Sequence, residues 1–209
     1  MKEGITRHWE GRAKAYDENV RQVIYSSRER RIWQEIFSAA IGSVPLRILD
    51  VGTGPGIVSN LLSELGHDVT GIDASEGMLK KAQSNSEALH NPMHLIQGDG
   101  EVLPFDDGSF DAVVNRYVLW TLPQPERALT EWQRVLRPGG RLVYAVCSVL
   151  PEECADHLAP FLAAHPGFAL VAEPPALWPA TIPWNGGAPL LDPGVTRTDG
   201  YGILCLERR

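Results

Sequence analysis

The segment Arg47 to Gly56, RILDVGTGPG, constrains the fold more than any other stretch of the chain. A short apolar strand runs straight into a turn carrying Gly52, Gly54 and Gly56. PGIVSNLLSELGH then reads as a helix, with Pro55 near its start and Gly66 at its end. DVTGID reads as a second strand. Strand, glycine turn, helix and strand at this spacing make a βαβ unit, and such a crossover joins parallel strands. Glycines in the turn let a ligand approach the backbone closely, at the carboxyl edge of the sheet.

The alternation continues along the chain. SEGMLKKAQSNSEAL reads as a helix capped by Ser75, MHLIQGD as a third strand and GSFDAVVNRYVLW as a fourth. PERALTEWQRVLR reads as a helix closed by the turn Pro138-Gly139-Gly140, and RLVYAVC as a fifth strand. PEECADHLAPFLAAHP follows as a helix, EPPALWPATIPWNGGAPLLDPG as a long loop, and YGILCLE as the closing strand. The first 45 residues read as a helical arm or cap, in which Ile32, Ile36, Ala39 and Ala40 share one apolar face. This pattern predicts an α/β fold, a doubly wound, mainly parallel sheet with helices on both faces. One domain is expected over 1–209: the arm at 1–45, a ligand-binding core at 46–146, and a part at 147–209 that completes the sheet.

A chain of 209 residues suits one such domain and is short for two. Its net charge of −7 argues against a nucleic-acid binder, because phosphate contacts need clustered positive charge. Cys147, Cys154 and Cys205 show no metal-ligand spacing, and the histidines show no pairing that reads as a metal site. No apolar run is long enough to span a bilayer, so a cytoplasmic protein with no membrane partner is expected.

Asp73 ends the second strand, about 20 residues past the turn, where a ribose-binding acid is expected. GTGPG lacks the full dinucleotide spacing. The reading puts Asp50 at the mouth of the turn, where it would repel a pyrophosphate and attract an amine or a sulfonium. That favours S-adenosylmethionine over NAD.

With these motifs in order, residues 5 to 146 resemble the class I S-adenosylmethionine-dependent methyltransferases with small-molecule substrates. The resemblance implies a Rossmann-like, seven-stranded sheet with an antiparallel last strand. ILDVGTGPG is similar to the family's first motif, implying that Asp50, Gly52, Thr53, Gly54 and Gly56 hold the methionine part of the cofactor. VTGIDASEGML is similar to the second, implying Asp73 and Ala74 at the ribose and Met78 near the adenine. GDGEVLPFDDGSFDAVV is similar to the third and fourth, implying Asp99 on the adenine amino group with Gly100 and Glu101 beside it. Asn115 and Arg116 follow, where substrate and methyl would meet, and Arg116 is a candidate to grip a carboxylate. Trp120 and Trp132 are expected in the core or a wall. RHWEGRAKAYDENV resembles the arm that folds over the cofactor, with Tyr16 as the contact to the sulfonium or the methionine carboxylate; His8 and Arg12 are weaker candidates.

The carboxyl-terminal third resembles a different branch, the Sun/Fmu-type ribosomal RNA cytosine 5-methyltransferases, through LVYAVCSVLPEE, FLAAHPGFALV and TDGYGILCLERR. That resemblance implies a nucleophilic Cys147, but VVNRYVLW lacks the Asp-x-Pro-Cys partner motif. The two resemblances meet near RPGGRLVYA, which suggests a chimera. The expectations are methyl transfer to a small-molecule acceptor by a monomer or homodimer. The alternatives are RNA cytosine methylation through Cys147 and a cofactor-binding chimera without catalysis.

Overall fold

Two helices, α1 (Lys2–Ile24) and α2 (Ser27–Ile41), precede the first strand in the computed structural model, which describes residues 2–24, 27–146, 158–171, 190–191 and 201–209. The remaining elements are β1 (Arg47–Val51), α3 (Ile57–Glu64), β2 (Asp68–Asp73), α4 (Glu76–Leu89), β3 (His94–Gln97) and β4 (Phe110–Arg116). They continue with α5 (Pro125–Val135), β5 (Leu136–Val146), α6 (Leu158–Ala164), β6 (Phe168–Leu170), β7 (Leu190–Leu191) and β8 (Tyr201–Arg208).

The strands form one sheet in the order β3-β2-β1-β4-β5-β8-β6, with β7 also on β8. The first five pair in parallel, β8 runs antiparallel to β5, and β6 and β7 run antiparallel to β8. The mainly parallel, doubly wound fold is therefore as the sequence predicts. The chain builds β1, β2 and β3 outward in one direction and then places β4 on the other side of β1. That reversal leaves a crevice beyond the carboxyl ends of β1 and β4, the place where open α/β sheets bind ligands. Val51 is in register with Ile72 on one side and Asn115 on the other, so the strand ends that border the crevice are level.

Alternation along the strands divides the core. Ile48, Val114, Val143, Ala145, Ile203 and Cys205 pack against α2 and α3, where Trp33, Ile36, Phe37 and Leu61 are buried. Leu49, Val51, Val113, Leu142 and Leu206 pack on the other face, around Trp132 and Leu129 of α5. Parallel strands buried on both faces read as apolar runs, which is why RILDV was so legible. The apolar face expected on α2 is formed, with Ile36, Ala39 and Ala40 buried and Ile32 partly so. Cys205 is a free thiol in this core, and burial pushes its pKa up to about 12, so it is unreactive.

Three expectations change. β5 starts at Leu136, not after the Pro138-Gly139-Gly140 turn. Phe110 pairs with Leu136 and Ala112 with Arg141, so Asp111 alone faces residues 137–140 across a wide bulge. The fourth strand stops at Arg116, because Tyr117 adopts a left-handed backbone with φ 65° and a 3-10 turn follows at Leu119–Thr121. β7 lies within the stretch expected to be loop. Cys147, Cys154 and most of the proline-rich segment lie outside the described residues.

Candidate functional site

The carboxyl edge of the sheet borders a cavity of about 230 Å3. Its floor is the glycine turn, Gly52 and Gly54, between the ends of β1 and β2. Gly52, Gly54 and Gly56 all have left-handed backbones, with φ of 68°, 55° and 78°. At Gly52 a Cβ would lie 2.1 Å from a Val118 methyl, so only glycine lets the two segments meet. At Gly54, by contrast, the nearest atoms to a Cβ are 3.9 Å away, and the backbone is open to the cavity.

Asp73 stands beside this turn. Its Oδ2 accepts the N–H of Gly54 at 2.9 Å and its Oδ1 that of Ser75 at 2.8 Å. Burial raises its pKa against the effect of those bonds. Each oxygen keeps a further lone pair, so the carboxylate can still accept from two vicinal hydroxyls. Ala74 and Met78 continue the wall, and Ser75 caps α4 by accepting the N–H of Met78 at 3.1 Å. Farther along, Asp99 and Gly100 close the end beyond β3. Gly100 is held from behind by Trp132, whose Nε1 donates to its carbonyl at 2.9 Å. Burial works to raise the Asp99 pKa, but bonds from Lys2 and the Glu101 N–H outweigh it and hold the carboxyl below its ordinary value.

Asp50 is not at the mouth of the turn. It is 2 % exposed and lies behind the glycines, its Oδ2 accepting from Ser59 Oγ at 2.7 Å. Burial raises its pKa to about 6 despite the hydroxyls of Ser59 and Thr53. The last full β1 residues alternate faces, and this position points towards α3. Thr53 is buried as well, its Oγ1 2.8 Å from Ser59 Oγ. Gly56 is the cap of α3, and a Cβ there would press on Ala82. Glu101 is fully buried, accepting the N–H of Gln124 at 2.7 Å. So Asp50, Thr53, Gly56 and Glu101 shape the site from outside its walls.

At the opposite end, Asn115 donates from Nδ2 to the Val51 carbonyl at 3.0 Å, tying β4 to β1. Its Oδ1 is buried and has no hydrogen-bond partner among the described residues. Such an orphan acceptor in a native fold calls for a donor from elsewhere. Arg116 lines the cavity, its guanidinium carbon 4.2 Å over the Tyr117 ring and 5.7 Å over that of Trp33. Tyr117 lines it too, and its strained backbone is the kind of feature that gathers at functional sites.

The roof is α1. Lys2, Ile5, Thr6, Trp9 and Tyr16 line the cavity at helical spacing. Tyr16 is edge-on to Trp9, with ring centroids 5.5 Å apart. Glu10 accepts from Ser75 Oγ at 2.6 Å, and Asp17 from Asn85 Nδ2 at 2.8 Å, so the helix is tied to α4. His8 and Arg12 face solvent. Sequence reasoning found Tyr16 on this helix and missed Lys2 and Trp9, although the spacing of that one face was available. Trp120 is neither core nor wall: it is 69 % exposed, on the 3-10 turn beside the cavity. His165 does have a partner, Glu126 Oε2 at 2.7 Å, but it lies outside the cavity lining. Among the described residues no cluster could hold a metal ion, and no helix is long and apolar enough to cross a membrane.

These residues fit S-adenosylmethionine. The open backbone at Gly54, the spare lone pairs of Asp73 and Asp99, and the orphan Oδ1 of Asn115 offer acceptors where that molecule carries hydroxyls and amines.

The comparisons with known proteins bear on the family. Residues 49–144 match the family described as a methyltransferase domain. The demethylmenaquinone methyltransferase of Renibacterium salmoninarum is 39 % identical over 134 residues, covering 64 % of this chain and 54 % of that protein. The demethylmenaquinone methyltransferase of Streptomyces griseus is 32 % identical over 173 residues, covering 82 % of this chain and 70 % of that protein. The chain spans about half the length of the first curated relatives it matches. Among solved structures, an S-adenosylmethionine-dependent methyltransferase of Aquifex aeolicus superposes with a TM-score of 0.68 over 96 % of this chain and 98 % of that one; at 18 % identity it speaks for the fold alone. Sequence, fold and relatives converge: the chain belongs to the class I S-adenosylmethionine-dependent methyltransferases.

Proposed function

We propose that this protein transfers a methyl group from S-adenosylmethionine to a small planar acceptor with an ionisable ring hydroxyl, of the hydroquinone type. One observation carries the reading. A single cavity follows the carboxyl edge of the sheet from Asp99, past Asp73 and the glycine turn, to Arg116 and Tyr117. The naming of its relatives as demethylmenaquinone methyltransferases supports a quinol-like acceptor.

When bound, S-adenosylmethionine supplies a methyl group on a positively charged sulfur. Asp99 would accept from the purine amino group, Asp73 from the ribose hydroxyls, and Asn115 Oδ1 from the ammonium, beside the backbone of Gly52 and Gly54. At the other end, Arg116 holds the acceptor oxygen as its anion, and Tyr117 steadies the guanidinium from beneath. An acceptor oxygen that has given its proton to solvent before it binds can attack the methyl with no separate base, so alignment and water exclusion are what the chain provides. Trp9, Tyr16, Val118 and Leu122 supply the apolar enclosure.

The likeness of the carboxyl-terminal third to the Sun/Fmu-type enzymes rests on a stretch whose residues 147–157 lie outside the described residues. We read Cys147 as a bystander, since VVNRYVLW at β4 carries no Asp-x-Pro-Cys partner motif.

The test is incubation of the protein with S-adenosylmethionine and a panel of naphthohydroquinones and their methyl ethers, followed by mass spectrometry. S-adenosylhomocysteine should appear together with an acceptor heavier by one methylene. Cofactor binding without methylation of any free hydroquinone would overturn the acceptor class.

A further inference from the structure

The first residue of α1 reaches across the cavity. Lys2 Nζ lies 2.6 Å from Asp99 Oδ2 and also pairs with Glu101, a side chain with no exposure. Bonds to these two acids raise the Lys2 pKa, with Asp99 the larger influence, so the ammonium is charged at any physiological pH. Asp99 Oδ1 accepts the N–H of Glu101 at 2.9 Å. The other oxygen has the Lys2 ammonium in front of it, and both residues line the cavity. A purine amino group that approached Asp99 from the cavity would meet that ammonium, so the two donors contest the space more than the last lone pair.

The rest of α1 does not depend on this contact. Glu10 and Asp17 hold the middle of the helix to α4 through Ser75 and Asn85. With Lys2 in place the cavity, at about 230 Å3, is below the range of roughly 300–1,000 Å3 usual for sites that hold drug-sized ligands. The first turn is the part of the roof whose anchor the cofactor can replace, because Lys2 is held there by Asp99 and Glu101 at the cavity end.

We propose that Lys2 is an internal ligand of the cofactor site, seated at the purine-amino position through Asp99 and Glu101, and that cofactor binding displaces it together with the first turn of α1. The proposal rests on the assignment of Asp99 to the purine made above. Apparent affinity is then lowered by the fraction of molecules in which Lys2 is seated. The same contact sets how fast the cofactor enters, since the position must open first.

The experiment is titration of the full chain and its Lys2→Met variant with S-adenosylhomocysteine, by calorimetry and stopped flow. Loss of a half-exposed ion pair should tighten binding by about twofold to fivefold, with faster association. Salt gives a second reading on the unmodified protein. Its affinity should rise as salt weakens the Lys2–Asp99 contact, and the variant should lack that rise. Because Lys2→Met leaves Glu101 buried without its cation, the double variant Lys2→Met/Glu101→Gln controls for folding, and thermal melting reads the fold of each. Unchanged or weaker binding in folded variants overturns the proposal while leaving the cofactor reading intact. Failure of every folded protein, unmodified chain included, to bind S-adenosylhomocysteine overturns the cofactor reading and the proposal with it.

Discussion

Asp73 at the end of β2 accepts the backbone N–H of Gly54 at 2.9 Å, so an acid on one strand sets the shape of the turn that leaves its neighbour. The residue thus serves the site twice, as an acceptor in the cavity wall and as the brace of the turn. Asp73→Ala should weaken S-adenosylhomocysteine binding by about 1.5–3 kcal/mol, the usual worth of hydrogen bonds to a charged group. Calorimetry that finds the affinity unchanged would take Asp73 out of the site.

Asp50 makes stability depend on pH. Its folded-state pKa of about 6 lies above the ordinary 3.8, because burial disfavours the charged form. The fold therefore holds the proton more tightly than the unfolded chain does. That contribution is fully present below about pH 4 and is lost as pH rises through about 6. Linkage puts its size at about 3 kcal/mol. Asp50→Asn should match the parent near pH 4 and exceed it in stability by up to that amount near pH 8. Urea melts at the two pH values measure the gap, and an equal gap at both would show that another group titrates.

The close approach of Gly52 and Val118 gives a paired test. Gly52→Ala should destabilise the fold by more than the roughly 1–2 kcal/mol cost of a left-handed alanine, because the new methyl would meet the Val118 side chain. Val118→Ala in the same chain should recover the part due to the clash and leave the backbone part. Additive losses in the double variant would show that the two residues do not compete for space.

Arg116 separates acceptor from cofactor. Arg116→Met should raise KM for a hydroquinone acceptor by about tenfold to a hundredfold, as expected for losing a partner of an anion in a partly dry site. Affinity for S-adenosylhomocysteine should stay within about twofold. Lysine should restore only part of the loss, since it cannot lie flat on Tyr117. A drop in cofactor affinity instead would move Arg116 to the methionine carboxylate.

Cys147→Ala should keep methyl transfer within a few fold of the parent. A collapse of turnover with cofactor binding intact would revive a covalent route through that thiol.

Much of the site was legible because its core obeys local rules. RILDV is a buried parallel strand that reads as an unbroken apolar run, and the glycines after it have the left-handed backbones their type suggests. Asp73 and Arg116 line the cavity at the ends of β2 and β4, where the strand pattern places them, and Asp99, two residues past β3, was placed by the family resemblance. Asp50 was misplaced for the same kind of reason. The sequence shows that it adjoins the turn but not which face of β1 packs on α3; in the fold Asp50 shares the face of Ile48 and meets Ser59. Lys2 was missed because its partners lie far along the chain, and Trp120 because the strand ends at Arg116 and Trp120 falls on the 3-10 turn that follows, exposed to solvent.

Asp111 sits at the amino edge of the sheet, away from the cavity. It accepts the backbone N–H of Arg47 at 2.9 Å and the Nε of Arg137 at 2.6 Å, and so fastens the starts of β1, β4 and β5 together. The same strands are fastened again at the carboxyl end, where Asn115 donates to the Val51 carbonyl, so β1 and β4 behave as a beam held at both ends. Gly52, Asn115 and Arg116 sit at the second fastening, and the joint at Asp111 helps to keep them level. Loosening that joint would alter how often they are in line, with no change in the chemistry any of them carries.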